Sequence, residues 1–162
     1  MIRTGRMLGL AGLGLLGGIG IVAARLQFGA APERVLLIFD GSCDFCTRTA
    51  RLLRALDRRQ RVTTLPFQRP GLPAEHHLTV ARCEQSVWAV MPDGWAFPAA
   101  AGTNLALAVA LGTSLPLWFY AIPGVRQAQE RAYRWVAANR HRFPGDTSYC
   151  EQFPEECGQA GT

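Results

Sequence analysis

From residue 34 onward, apolar and polar positions change period in an order that lays out a domain. Val35–Phe39 reads VLLIF, a continuous apolar run of β-formers and of strand length. That pattern belongs to a strand covered on both faces. Asp40-Gly41-Ser42 follows as a turn, with Ser42 in place to cap a helix. Beyond it, Phe45, Thr49, Leu52, Leu53 and Leu56 recur at helical spacing and trace one face. Arg48, Arg51, Arg54 and Arg58 occupy the other, as a solvated face; an anionic partner is the alternative.

The pattern continues with a second strand over 61–67 (RVTTLPF) and a loop with a short helix over 70–83. A third strand, 86–91, and a short fourth, 95–97, flank the turn Pro92-Asp93-Gly94. Residues 104–111 form a helix of Ala, Leu and Val. Residues 105–125 carry no charge. Gly112, Pro116 and Pro123 divide that stretch into two short packed helices, against a second membrane span. Residues 124–142 form a charged amphipathic helix, with Val125, Ala128, Ala132, Trp135 and Val136 on one side. The four tryptophans, Trp88, Trp95, Trp118 and Trp135, are read as core. Strand, helix, strand, then hairpin and helices is the order of an α/β, thioredoxin-like domain.

Before this domain lies Met7–Ala24, 18 residues without a charge, between Arg3 and Arg6 on one side and Arg25 on the other. Residues 1–24 are expected to be a transmembrane anchor or signal segment, 25–33 a linker, 34–143 the redox domain and 144–162 an irregular tail. A single-pass membrane anchor fits the length and flanks. A cleaved signal peptide ending near Val22-Ala23-Ala24 and a mis-assigned start are the other readings. The basic N-terminal flank favours an extracytoplasmic domain, against the opposing arginines Arg25 and Arg34.

Composition narrows the function classes. The 162 residues include 17 arginines, no lysine and a net charge of +5 spread along the chain. A nucleic-acid platform concentrates its charge on one face, so nucleic acid is not an expected partner. Five cysteines are too few for a disulfide scaffold.

Two of the five, Cys43 and Cys46, sit between the first strand and its helix. A cysteine attacks only as thiolate, and free N–H groups at a helix N-terminus favour negative charge. Cys46 lies one turn on, within bonding range. The spacing suits a redox couple in which Cys43 attacks a disulfide and Cys46 resolves the mixed disulfide. Two other readings stay open: half of a metal site, whose second pair would be Cys150 and Cys157, and two inert buried thiols. Cys83 reads as a lone thiol. Cys150 and Cys157 are a candidate tail disulfide or a shuttle pair. Asp40 either accepts a backbone bond in the turn or relays a proton for Cys46. His76, His77 and His141 lack ligand spacing.

Asp40-Gly41-Ser42-Cys43-Asp44-Phe45-Cys46 after an apolar strand resembles the motif of the DCC family of thiol–disulfide oxidoreductases. Met91-Pro92-Asp93-Gly94 is similar to the family's hairpin, and the stretch from Ala132 to Arg142, followed by Cys150, is a second match. The resemblance covers about residues 34–150. It implies a thioredoxin-like fold and protein-disulfide reductase-type activity. The redox couple would be Cys43 and Cys46, with Asp40 as the motif acid and no cofactor beyond the redox-active disulfide. The expected partners are a protein or small-molecule disulfide or dithiol and, through the N-terminal segment, a membrane. The N-terminal segment is an addition to the family's domain. Cys83-Glu84-Gln85-Ser86 also lacks the proline that thioredoxins set beside their cysteines. The rival reading is a non-catalytic membrane-anchored binding module with structural or metal-binding cysteines.

Overall fold

The computed structural model describes residues 32–158. Four strands form one sheet: β1 (Val35–Phe39), β2 (Val62–Pro66), β3 (Trp88–Val90) and β4 (Ala96–Pro98), in the order β2-β1-β3-β4. β1 pairs parallel with β2, and β3 pairs antiparallel with both β1 and β4. The helices are α1 (Asp44–Leu56), α2 (Leu72–Glu75), α3 (Val80–Gln85), α4 (Ala99–Leu111), α5 (Leu115–Ala121), α6 (Val125–Asn139) and α7 (Tyr149–Gln152). A 3-10 turn, Arg140–Arg142, extends α6. This is a mixed α/β fold, compatible with a thioredoxin-like domain.

The sheet is covered on both sides, as the apolar run of β1 requires. Val35, Leu37 and Ala89 pack with α4, Leu117 and Tyr120 on one face. Ile38, Trp88 and Val90 pack with Phe67, Leu72, Leu78 and Cys83 on the other. α4 is apolar around its whole circumference because it is the central helix: Leu105 and Ala106 are fully buried. Complete burial of a side chain such as Leu105 stabilises the fold by about 2 kcal/mol.

Several local expectations change on contact with the packing. α4 begins at Ala99, earlier than the apolar run at 104 indicates, because Ala100, Ala101 and Gly102 are already buried, with Gly102 close against β3 and β4. Gly112 ends it in the left-handed conformation, φ +68°. Pro116 does not break a helix; it lies in the first turn of α5, where a missing N–H costs nothing. Of the four tryptophans, Trp88 is buried and Trp118 partly buried. Trp95 and Trp135 are 70% and 61% exposed, so neither belongs to the core. The tail carries α7 and a disulfide. The membrane or signal segment expected over 1–24, and residues 25–31 of the expected linker, lie outside the described residues. Among the described residues, no helix is long and apolar enough to cross a membrane.

One buried polar contact ties two of these helices together. The Tyr120 hydroxyl donates to Glu130 Oε1 at 2.6 Å. Burial, reinforced by that carboxylate, pushes the phenol up to about 12 from its ordinary value of 10.0. The folded state therefore holds this proton more tightly than the unfolded chain does. The contribution is complete below the unfolded value and is lost as pH rises toward the folded one. Thermal melts between about pH 9 and pH 12 are expected to show a steeper loss of stability in the wild type than in Tyr120→Phe. Identical pH slopes would contradict the assignment.

Candidate active site

The site is built where β1 hands over to α1. Phe39 ends the strand, and Asp40-Gly41-Ser42 turns the chain. Cys43, with φ −105° and ψ 118°, is the N-cap residue. Its Sγ accepts the backbone N–H of Cys46 at 3.2 Å. The expected Ser42 cap is therefore one residue early: the sulfur itself satisfies a first-turn donor. Cys43 and Cys46 are both partly exposed and form a disulfide, with Cα atoms 5.2 Å apart.

The turn is held from three sides. Asp40 Oδ1 accepts the Ser42 N–H at 3.1 Å and the Gln68 side-chain amide at 2.7 Å. Gln68 in turn accepts the Gly41 N–H at 2.9 Å, so one side chain from the end of β2 supports both residues. Asp40 Oδ2 pairs with Arg140 Nη2 at 2.9 Å, and Arg140 Nη1 lies 3.9 Å from Cys46 Sγ. Asp40 thus makes the turn bond read as its simplest role and also meets, through Arg140, a sulfur of the pair.

The third side is the chain's end. Cys150 N–H donates to Gly41 O at 3.0 Å, Tyr149 N–H to Thr47 Oγ1 at 3.0 Å, and Gly158 N–H to Gln68 O at 3.0 Å. A Cβ on Gly41 would lie 2.6 Å from Pro66 Cβ and 2.7 Å from Cys150 Sγ, so the close approach needs glycine there. Cys150 and Cys157 form a second disulfide, which closes a loop within this segment while the hydrogen bonds hold it against the turn. The arginines of α1 join in. Arg51 pairs with Asp146 at 3.2 Å and also meets Gln152, while Arg48 donates to Pro144 O at 3.4 Å. That face is a seat for the tail as well as a solvated surface.

α1 buries a face other than the one its spacing indicates. Thr47 and Ala50 are the buried residues, being small enough to lie close against the sheet. Leu52 and Leu56 are 57% and 49% exposed and instead line an apolar groove of about 260 Å³. Phe45, Cys46, Leu53, Ala106, Val136 and Arg140 also line it, so one end of the groove is the Cys46 side of the disulfide. Ser86 and Val87, just before β3, border the groove. The Val87 N–H there is already taken by the Tyr133 hydroxyl at 2.9 Å. Cys83 reaches the same groove as a free thiol, which burial pushes up from its ordinary value.

A family model described as DCC1-like thiol-disulfide oxidoreductase matches residues 37–146. The chain belongs to this family. The DCC1-like match runs from within β1 to the tail residue paired with Arg51, and so contains Asp40, Cys43, Cys46, Gln68 and Arg140. Cys150 and Cys157 fall beyond it. No curated protein and no solved structure matches the chain.

The structure brings Asp40, Cys43 and Cys46 together. It leaves His76 and His77 apart, and among the described residues no group of three or more His, Cys, Asp or Glu side chains is placed to hold a metal ion. Gln68 and Arg140 went unassigned in the sequence. Arg140 lies inside the second family motif, which was the available signal; nothing marks Gln68 except its place just after β2. Closing a short loop with the Cys150–Cys157 bond is worth about 2 kcal/mol. The double variant Cys150→Ser/Cys157→Ser is expected to lose that much in urea unfolding followed by tryptophan fluorescence. An unchanged midpoint would show that closing this loop does not stabilise the fold.

Proposed function

We propose that this protein is a thiol–disulfide oxidoreductase of protein-disulfide reductase type, working in a thioredoxin-like domain through Cys43 and Cys46. One observation carries the reading: a partly exposed disulfide whose first sulfur accepts a helix N-terminal N–H. Membership of the DCC1-like family supports the same class of chemistry.

In the reduced enzyme, the Cys43 thiolate attacks one sulfur of a substrate disulfide. A Cys43–substrate bond forms, the substrate S–S bond breaks, and the other substrate sulfur leaves as thiolate. Cys46 then gives up its proton, which Asp40 relays to solvent, and attacks Cys43. The Cys43–Cys46 bond forms and the second substrate thiolate leaves. Two electrons have passed from the enzyme dithiol to the substrate, and an external dithiol restores the enzyme. The substrate is a protein or small-molecule disulfide, and no separate cofactor takes part.

Residues 7–24 support a single-pass membrane tether, and the flanking arginines favour an extracytoplasmic domain. The second disulfide is in keeping with an oxidising compartment.

With a peptide disulfide as substrate and dithiothreitol as donor, Cys43→Ser is expected to abolish turnover. Cys46→Ser, reduced and then freed of dithiothreitol before the peptide disulfide is added, is expected to accumulate a mixed disulfide at Cys43, visible by mass spectrometry. Full turnover in Cys43→Ser would sink the proposal.

A further inference from the structure

The exchange steps above leave Arg140 without a task, although its guanidinium joins the motif acid to one sulfur of the pair. Nη2 is 2.9 Å from Asp40 Oδ2 and Nη1 is 3.9 Å from Cys46 Sγ. The contact spans 94 residues and depends on the 3-10 turn at the end of α6. The Arg140 and Asp40 side chains are only 31% and 12% exposed, so solvent screens this pair less than one on the open surface. The guanidinium is planar, and its nitrogens keep a fixed separation. An Asp40 carboxylate fixed by Gln68 and the Ser42 N–H therefore also fixes where the other nitrogen points.

The two sulfurs of the pair have different needs. Cys43 faces a first-turn N–H. Cys46, whose own N–H makes that bond, borders the apolar groove. Poor solvation there disfavours a thiolate unless a cation is close. The titratable or charged groups lining the groove, among the described residues, are Asp40 from the end of β1, Cys83 from α3, Tyr133 from α6 and Arg140 from the 3-10 turn. Only Arg140 brings positive charge.

We propose that Arg140 is a catalytic residue of the resolving step: its guanidinium holds Cys46 as thiolate once Cys43 is bound to substrate, and Asp40 positions it. The proposal rests on the exchange reading. The guanidinium stays protonated throughout and takes no proton. When Cys46 attacks Cys43, its charge passes to the departing substrate sulfur, and Arg140 is left paired with Asp40 as it is in the disulfide state.

The test uses the full chain carrying Cys43→Ser, reduced with dithiothreitol, which leaves Cys46 without its partner. Iodoacetamide modification of Cys46 is followed against pH by peptide mass spectrometry, with Arg140→Gln and Arg140→Lys added in turn. In Arg140→Gln the half-titration point is expected to rise by about 1 pH unit or more. Arg140→Lys keeps the charge and is expected to retain most of the wild-type value. An unmoved midpoint in Arg140→Gln would overturn the proposal. So would an equal rise in Arg140→Lys, since lost packing rather than lost charge would then be responsible. If Arg140→Gln does not fold, Arg140→Met, which keeps an apolar stem, gives the same readout. Because alkylation of one thiol is measured, the result is separate from turnover. A wild-type protein inert toward disulfides would sink the exchange reading, whereas an unmoved Cys46 midpoint sinks only the role of Arg140.

Discussion

The hydrogen bond from the Cys46 N–H to the Cys43 sulfur is the contact on which this site depends. A helix begins with N–H groups that lack partners inside it. Here one of them is satisfied by the side chain that would carry the chemistry. Capping the helix and favouring a charged sulfur are then the same interaction. An N-cap oxygen would serve stability alone, whereas a cap sulfur adds a nucleophile whose ionised form the helix prefers.

The geometry holds because the preceding turn has little freedom. β1 is clamped between two apolar layers, which sets where the strand ends. Gln68 holds Asp40 and Gly41, and the tail packs so close to Gly41 that no side chain fits there. Arg140 approaches from the other end of the domain and connects Asp40 with Cys46. Three distant parts of the chain thus converge on a short turn. The two sulfurs receive different support: a backbone dipole serves Cys43 and a side-chain cation serves Cys46.

Much of the local frame was legible in the sequence, because it rests on short-range rules. The apolar run of β1, the turn residues after it and the helical period that follows place Cys43 and Cys46 correctly at a strand–helix junction. The breakers within 105–125 correctly divide the stretch into α4 and α5, although Pro116 starts a helix instead of interrupting one. The cap was misread by one residue because Ser42 and Cys43 are both able to cap, and only the backbone angles decide between them. The buried face of α1 was misread for a different reason. Hydrophobic periodicity favours large side chains, while close packing on the sheet selected Thr47 and Ala50 and left Leu52 and Leu56 for the groove. The Cys150–Cys157 bond joins residues seven apart and was legible as a candidate pair, whereas Gln68 and Arg140 act across 27 and 94 residues, and the Cys150 N–H reaches back to Gly41. No local pattern encodes such long-range contacts.

The most direct test of this account is the ionisation of Cys43 in the reduced wild-type protein. Alkylation of that thiol, followed against pH by peptide mass spectrometry, should half-titrate below the ordinary thiol value of about 8.5. A midpoint at or above the ordinary value would contradict the account, because the helix terminus would then give the sulfur no electrostatic support.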